Sequence, residues 1–145
     1  MRAATTLANR VAMEFGDGSS AQQPMPEARR IAAAGPERLQ RLGVMSARAR
    51  SLHAIATAIA EARVDLEALR AAPGAEAQAA LDALPGIGPW TASYIRMRAL
   101  GDRDAFPAGD LGVLRALRMT AAEAERRSKK WSPWRAYATL HLWAG

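Results

Sequence analysis

A chain of 145 residues, half of them apolar, can build one domain with a sizeable core. It has no Cys, which excludes disulfides, Cys-bound zinc and an iron–sulfur cluster, and no apolar run approaches the roughly 20 residues that span a bilayer. The formal charge of +6 is uneven: residues 1–95 hold 10 Lys/Arg against 9 Asp/Glu, residues 96–135 hold 10 against 5, and the last ten hold none.

Abundant Ala and Leu, with few β-branched or aromatic residues, predict an all-α protein. A first helix is expected from Ala3 to Phe15, with Leu7, Val11 and Phe15 on one face. Gly16 ends it, and Gly18-Ser19-Ser20 continues as a loop. Pro24 to Pro26 marks a new start. A short helix follows over Glu27 to Ala34, and Pro36 begins another that Gly43 stops. Ser46 is placed as the cap of a longer helix to about Ala62, with Leu52, Ile55 and Ile59 facing inward. Asp65 caps a short helix ending before Pro73-Gly74. Glu76 to Leu84 and Pro89 to Leu100 form a pair around a tight turn. Asp110 is read as the N-cap of Leu111–Arg118. Thr120 and Glu123 form a capping box for a polar helix reaching Lys130. Pro133 opens a final helix, apolar nearly all round and therefore expected to be buried. No strand, dividing linker or repeat is visible, so the chain is read as a single domain, 1–145.

The stretch Leu84-Pro85-Gly86-Ile87-Gly88-Pro89-Trp90-Thr91 carries the first functional signal. Pro85 presets a turn, and Gly86 and Gly88 permit positive φ and close backbone approach. Pro89 suits the first turn of a helix, where its missing N–H costs nothing. The free amides of that turn, with those of the glycines, form a cup for an anion such as a phosphate diester. The plain alternative is an ordinary loop-to-helix turn. The basic excess of residues 96–135 suggests a nucleic-acid backbone as partner, and its plain alternative is a solvated Arg-rich face.

Three motifs stand in order: LPGIGPWTA from Leu84, FPAGDLGV from Phe106, and WSPWRAYATLHLW from Trp131. Together they resemble the helix-hairpin-helix (HhH-GPD) DNA glycosylases, and within them the 3-methyladenine DNA glycosylase II (AlkA-type) branch. The likeness is strong from Leu84 to Trp143 and weak from Ala3. It implies a helix-hairpin-helix glycosylase bundle, with the hairpin over about 76–100 and the catalytic loop and helix over about 104–118. It implies base excision repair of duplex DNA containing alkylated purines. Asp110 is then the catalytic carboxylate, stabilising an oxocarbenium-like sugar and orienting water. Its plain alternative is a helix cap, and both can hold.

The same resemblance puts Trp90 and Trp143 in the base pocket, where an electron-poor extruded base would stack on indole faces. For both, the plain alternative is core packing. Trp131 and Trp134 are assigned to the core, and Tyr94 to packing on the face of Trp90. Gly86, Gly88 and Thr91 would hold one phosphate. The backbone carbonyls of Asp82, Leu84 and Ile87 would hold a monovalent cation, Na+ or K+, with no other cofactor required. Lyase-active relatives carry a Lys where Trp90 stands, so a monofunctional enzyme is expected. The two lysines, Lys129 and Lys130, fall on the polar helix. His53 and His141 have no partner at metal-ligand spacing.

The branch also carries an N-terminal α/β domain and a wedge loop, and neither is visible in this sequence. With no signal-peptide segment in view, a cytoplasmic monomer without membrane contact is expected. The competing reading is a truncated DNA-binding module that keeps the hairpin and basic face but has no need of Asp110 or the aromatic residues.

Overall fold

Start and stop signals in the sequence place nearly every helix to within a turn. The computed structural model describes residues 2–16 and 26–145. It contains α1 (Arg2–Phe15), α2 (Ala28–Ala34), α3 (Pro36–Arg41), α4 (Ser46–Ala60), α5 (Leu66–Ala71), α6 (Gly74–Asp82), α7 (Pro89–Arg98), α8 (Leu111–Leu117), α9 (Ala121–Ser128), a 3-10 turn (Lys129–Trp131) and α10 (Arg135–Ala144). No strand occurs among the described residues. The expected loop at Gly18-Ser19-Ser20 and the start at Pro24 lie outside them. The residues group into two compact units, 1–65 with 84–86, and 66–83 with 87–145.

In the first unit, Val11, Phe15, Leu39, Val44 and Ala49 form the core, with Leu7, Ile31 and Leu42 packed against it. The predicted stripe of α1 is therefore the buried one. α3 ends in a Schellman motif: Gly43 has φ +96°, its N–H donates to the Gln40 carbonyl at 2.9 Å, and the Val44 N–H donates to that of Leu39 at 3.2 Å. Two expectations for α4 fail. Its N-cap is Met45, and Ser46 lies inside the helix, where its hydroxyl accepts from Arg50 at 2.6 Å. Its buried residues are Ala49, Ala56 and Ala58; of the three expected to face inward, Ile55 and Ile59 are half-buried while Leu52 is 44% exposed. Alanines let neighbouring backbones approach closely, which leaves larger side chains at the margin of the contact.

In the second unit, Phe106, Val113 and Ala124 form a core with Ala108, Leu114, Leu117, Trp131 and Leu142 around it. A second cluster joins Met97, Ala105 and Ala136. The capping box of α9 is present: the Thr120 hydroxyl accepts from the Glu123 N–H, and Glu123 accepts from the Thr120 N–H at 2.9 Å. The last helix starts later than expected, at Arg135, after a cis Ser132–Pro133 bond and with Trp134 as N-cap. It is not buried all round. Only Ala136 and Thr139 are buried, whereas Tyr137, Leu140 and Trp143 are exposed. Trp131 packs edge-on to Phe106 as a core residue, but Trp134 is half exposed. The Arg103 guanidinium lies 5.2 Å over the Trp134 ring and Tyr137 meets its edge, so this indole is satisfied at the surface by a cation. Lys129 and Lys130 are exposed on the 3-10 turn.

Candidate active site

Asp110 is the N-cap of α8, in an extended conformation, and its Oδ1 accepts from the Val113 N–H at 3.0 Å. The loop before it is pinned at both ends. Phe106 and Pro107 are buried, and the Asp110 N–H donates to the Pro107 carbonyl at 2.8 Å. At the other end Arg135 grips Asp104, with Nε to Oδ1 and NH2 to Oδ2 both at 2.9 Å, and the Ser132 hydroxyl donates to Oδ2 at 3.0 Å. The loop is therefore fixed to the start of α10.

Two indoles converge on the carboxylate. Trp90, in the first turn of α7, donates its Nε1–H to Oδ2 at 2.9 Å. Trp143, near the end of α10, donates its Nε1–H to Oδ1 at 2.8 Å. Tyr94 lies between them, stacked on Trp90 with centroids 5.4 Å apart and 6.0 Å from the Trp143 ring. The three rings remain accessible, at 45% for Trp90 and 36% for Tyr94 and Trp143. That exposure separates them from core aromatics. They form an open, electron-rich wall beside an anion, suited to a planar, electron-poor or cationic group.

Burial works to raise the Asp110 pKa. The N–H donors Trp143, Trp90, Val113 and Gly112 outweigh it, and the carboxyl sits below its ordinary value. The group is thus held as a hydrogen-bonded anion rather than poised as a proton acceptor at neutral pH. Replacing Trp143 or Trp90 with Phe removes one donor and is expected to raise the Asp110 pKa toward its ordinary value. The carboxyl carbon resonance of Asp110, followed against pH in each variant, measures that shift.

The hairpin residues behave unequally. Gly86 has φ +80°, and a Cβ there would fall 2.2 Å from the Ser51 hydroxyl, so the turn requires glycine. Gly88, read as permitting positive φ or close approach, has φ −98° as N-cap of α7, and nothing lies within 4 Å of where its Cβ would stand. Glycine is demanded there neither by the backbone nor by a protein neighbour. Pro89 takes the first helical position as expected. Thr91 is half-buried in the same turn. Asp82 ends α6, and Leu84 and Ile87 flank Gly86 in half-buried positions.

His53 Nε2 lies 3.0 Å from the Ala32 carbonyl, and His141 is exposed. Among the described residues no group of three or more His, Asp or Glu could hold a metal ion, and no helix is long and apolar enough to cross a membrane. Of the basic residues in 96–135, Arg96 is tied to Asp102 and Arg135 to Asp104. Arg98, Arg103, Arg115, Arg118, Arg126 and Arg127 stay exposed with the two lysines. Tyr94, expected on the face of Trp90 as a packing residue, is on that face but 36% exposed. Its spacing of four from Trp90 was the available signal that it shares the wall.

Residues 1–133 match the family described as HhH-GPD superfamily base excision DNA repair protein. The chain is 36% identical over 146 residues to DNA-3-methyladenine glycosylase 2 of Escherichia coli, covering 97% of this chain and 50% of that protein. It is 46% identical over 107 residues to the probable bifunctional transcriptional activator/DNA repair enzyme AlkA of Mycobacterium tuberculosis, covering 70% of this chain and 21% of that one. Among solved structures, the 3-methyladenine DNA glycosylase of Archaeoglobus fulgidus superposes with a TM-score of 0.84 at 27% identity, over 99% of this chain and 52% of that one. The chain thus spans about half, or less, of these relatives.

Proposed function

The chain belongs to the HhH-GPD superfamily of base excision DNA repair proteins, and from that premise we propose that it is a monofunctional DNA glycosylase for alkylated purines of the 3-methyladenine and 7-methylguanine type. The observation that carries this reading is Asp110, held ionised by two indole N–H donors at the foot of a three-ring wall. An extruded alkylated base is planar and cationic, so it stacks on Trp90, Tyr94 and Trp143. As the N-glycosidic bond lengthens, the base takes the bonding electron pair and leaves neutral, and positive charge passes to the sugar. The Asp110 carboxylate faces that charge at C1′ and stabilises it. Water, oriented by the same group, adds to C1′ and loses its proton to solvent, leaving free base and an abasic site.

Trp90 stands where lyase-active relatives carry Lys, so no Schiff base forms and the strand stays intact. The amides of Gly86 and Gly88, with Thr91, bind one phosphate of duplex DNA, and the open space at Gly88 leaves room for a close approach. We assign to the carbonyls of Asp82, Leu84 and Ile87 a monovalent cation, an ion that takes hard oxygen donors of this type. No step of the reaction is routed through it. The exposed arginines of the basic half add sequence-independent attraction. The protein acts as a monomer in the cytoplasm.

The test is release of methylated base from treated duplex DNA. Free 3-methyladenine or 7-methylguanine is expected, with strand breaks only after alkali. DNA affinity is expected to fall steeply with salt, with a log–log slope of about −0.9 per phosphate contacted. Retained DNA binding with no base release would instead mark the chain as a binding module.

A further inference from the structure

Gly112 occupies the second position of α8 and is exposed to solvent. Nothing in the backbone requires glycine there, because its φ is not among the positive ones. Glycine is also a poorer helix former than almost any residue that could replace it. A solvent-facing helical position that carries glycine against its own propensity calls for another reason.

Its surroundings supply one. A Cβ on residue 112 would stand 3.0 Å from Asp110 Oδ1, 3.0 Å from Trp143 Cδ1 and 3.2 Å from Trp143 Nε1. These are the atoms of the hydrogen bond from Trp143 to Asp110 at 2.8 Å. Such contacts are tighter than nine in ten that a Cβ makes, so a neighbour must give way by a few tenths of an ångström. Asp110 is held on both oxygens, by the Val113 N–H and by Trp90. Trp143 has one polar anchor, lies near the end of α10, and is partly exposed. The indole is therefore the group that moves.

We propose that Gly112 is a positioning residue: its bare Cα lets the Trp143 indole edge close onto Asp110, and this closure sets where the far side of the aromatic wall stands over the carboxylate. The activity consequence rests on the glycosylase reading above, whereas the geometric claim does not. A side chain at 112 pushes Trp143 outward, weakens its hydrogen bond and tilts the surface on which a base would stack. A longer side chain does so more than a methyl group.

Gly112→Ala and Gly112→Leu test this together, since both replacements are better helix formers. Thermal midpoints are expected to be equal to or above that of the natural chain. The Trp143 indole N–H resonance at neutral pH is expected to move upfield, in the order Gly, Ala, Leu, as its bond to Asp110 weakens, while that of Trp90 stays close to its original position. Base release is expected to slow by about 3–10-fold in the Ala variant and further in the Leu variant. In a Trp143→Phe background, Gly112→Ala is expected to change the rate by less than about 2-fold, because the bond it disturbs is already gone.

An unmoved Trp143 resonance in both variants overturns the proposal, and so does a full rate loss that persists in the Trp143→Phe background. If the natural chain releases no base at all, the glycosylase reading falls, and the resonance shifts still decide the role of Gly112.

Discussion

Replacing Asp110 with Asn is expected to lower single-turnover release of 3-methyladenine from duplex DNA by about 10²–10³-fold. DNA affinity is expected to stay within a few-fold of the natural chain. Asn is as good an N-cap as Asp, so the hydrogen bond from Val113 can survive and α8 keeps its start. What changes is charge and donor count. The amide offers one acceptor oxygen where the carboxylate offered two, so Trp90 and Trp143 cannot both be satisfied. The negative charge that the proposed reaction sets against C1′ is gone as well. Thermal stability should therefore move little while the chemical step fails. Chromatographic measurement of released base at saturating enzyme checks this, and a variant retaining more than about a tenth of the rate would remove Asp110 from the reaction.

Arg135→Ala is expected to destabilise the fold by about 2–4 kcal/mol. The Arg135 and Asp104 side chains are 22% and 30% exposed, and the guanidinium makes two parallel hydrogen bonds to the carboxylate. Removing the cation leaves a half-buried carboxylate with Ser132 as its remaining side-chain donor. Arg135→Lys is expected to recover only part of the loss, because an ammonium cannot present the fork. Hydrogen bonding from Arg135 chiefly holds the Asp104 pKa below its ordinary value, with burial opposing and Ser132 assisting. A depressed carboxylate pKa gives stability that is fully present above the unfolded value and lost as pH falls through the folded one. The gap between natural and Ala chains in urea midpoint is therefore expected to be widest near neutrality and to narrow below the ordinary carboxylate range. Base release should fall with it, since the same pair anchors the loop carrying Asp110.

Most of the helical framework was legible because its signals are local. The Schellman glycine at 43, the Thr120–Glu123 box, Pro89 at its first-turn position and the Asp110 cap each depend on residues within a few positions of one another. The stripe Leu7, Val11, Phe15 was legible because an amphipathic period implies a buried face. The errors came where distant partners decide. Ser46 is a plausible cap, but Met45 takes that position and the hydroxyl serves Arg50 instead. Leu52 loses its expected place to alanines that admit closer helix packing. An apolar period on α10 implied burial all round, yet half of that surface faces outward, and the Arg103 cation over Trp134 could not be read from spacing.

The site followed the same divide. Asp110, Trp90 and Trp143 could be nominated from motifs, but the donation of both indole N–H groups to one carboxylate could not. Nor could the contact of Tyr94 with Trp143 as well as Trp90, or the exposed glycine whose missing side chain leaves room for Trp143. Those are statements about three helices at once.

Trp90 lies 20 positions before Asp110 in the chain, and Trp143 lies 33 after it. Reaching them together means closing long loops, so the constellation cannot exist in a nascent or frayed chain. A constellation made this way is assembled only when the whole helical unit has folded around it. Damaged, clipped or half-synthesised copies would carry the residues without their arrangement. On the glycosylase reading proposed above, folding itself would guard DNA against stray depurination.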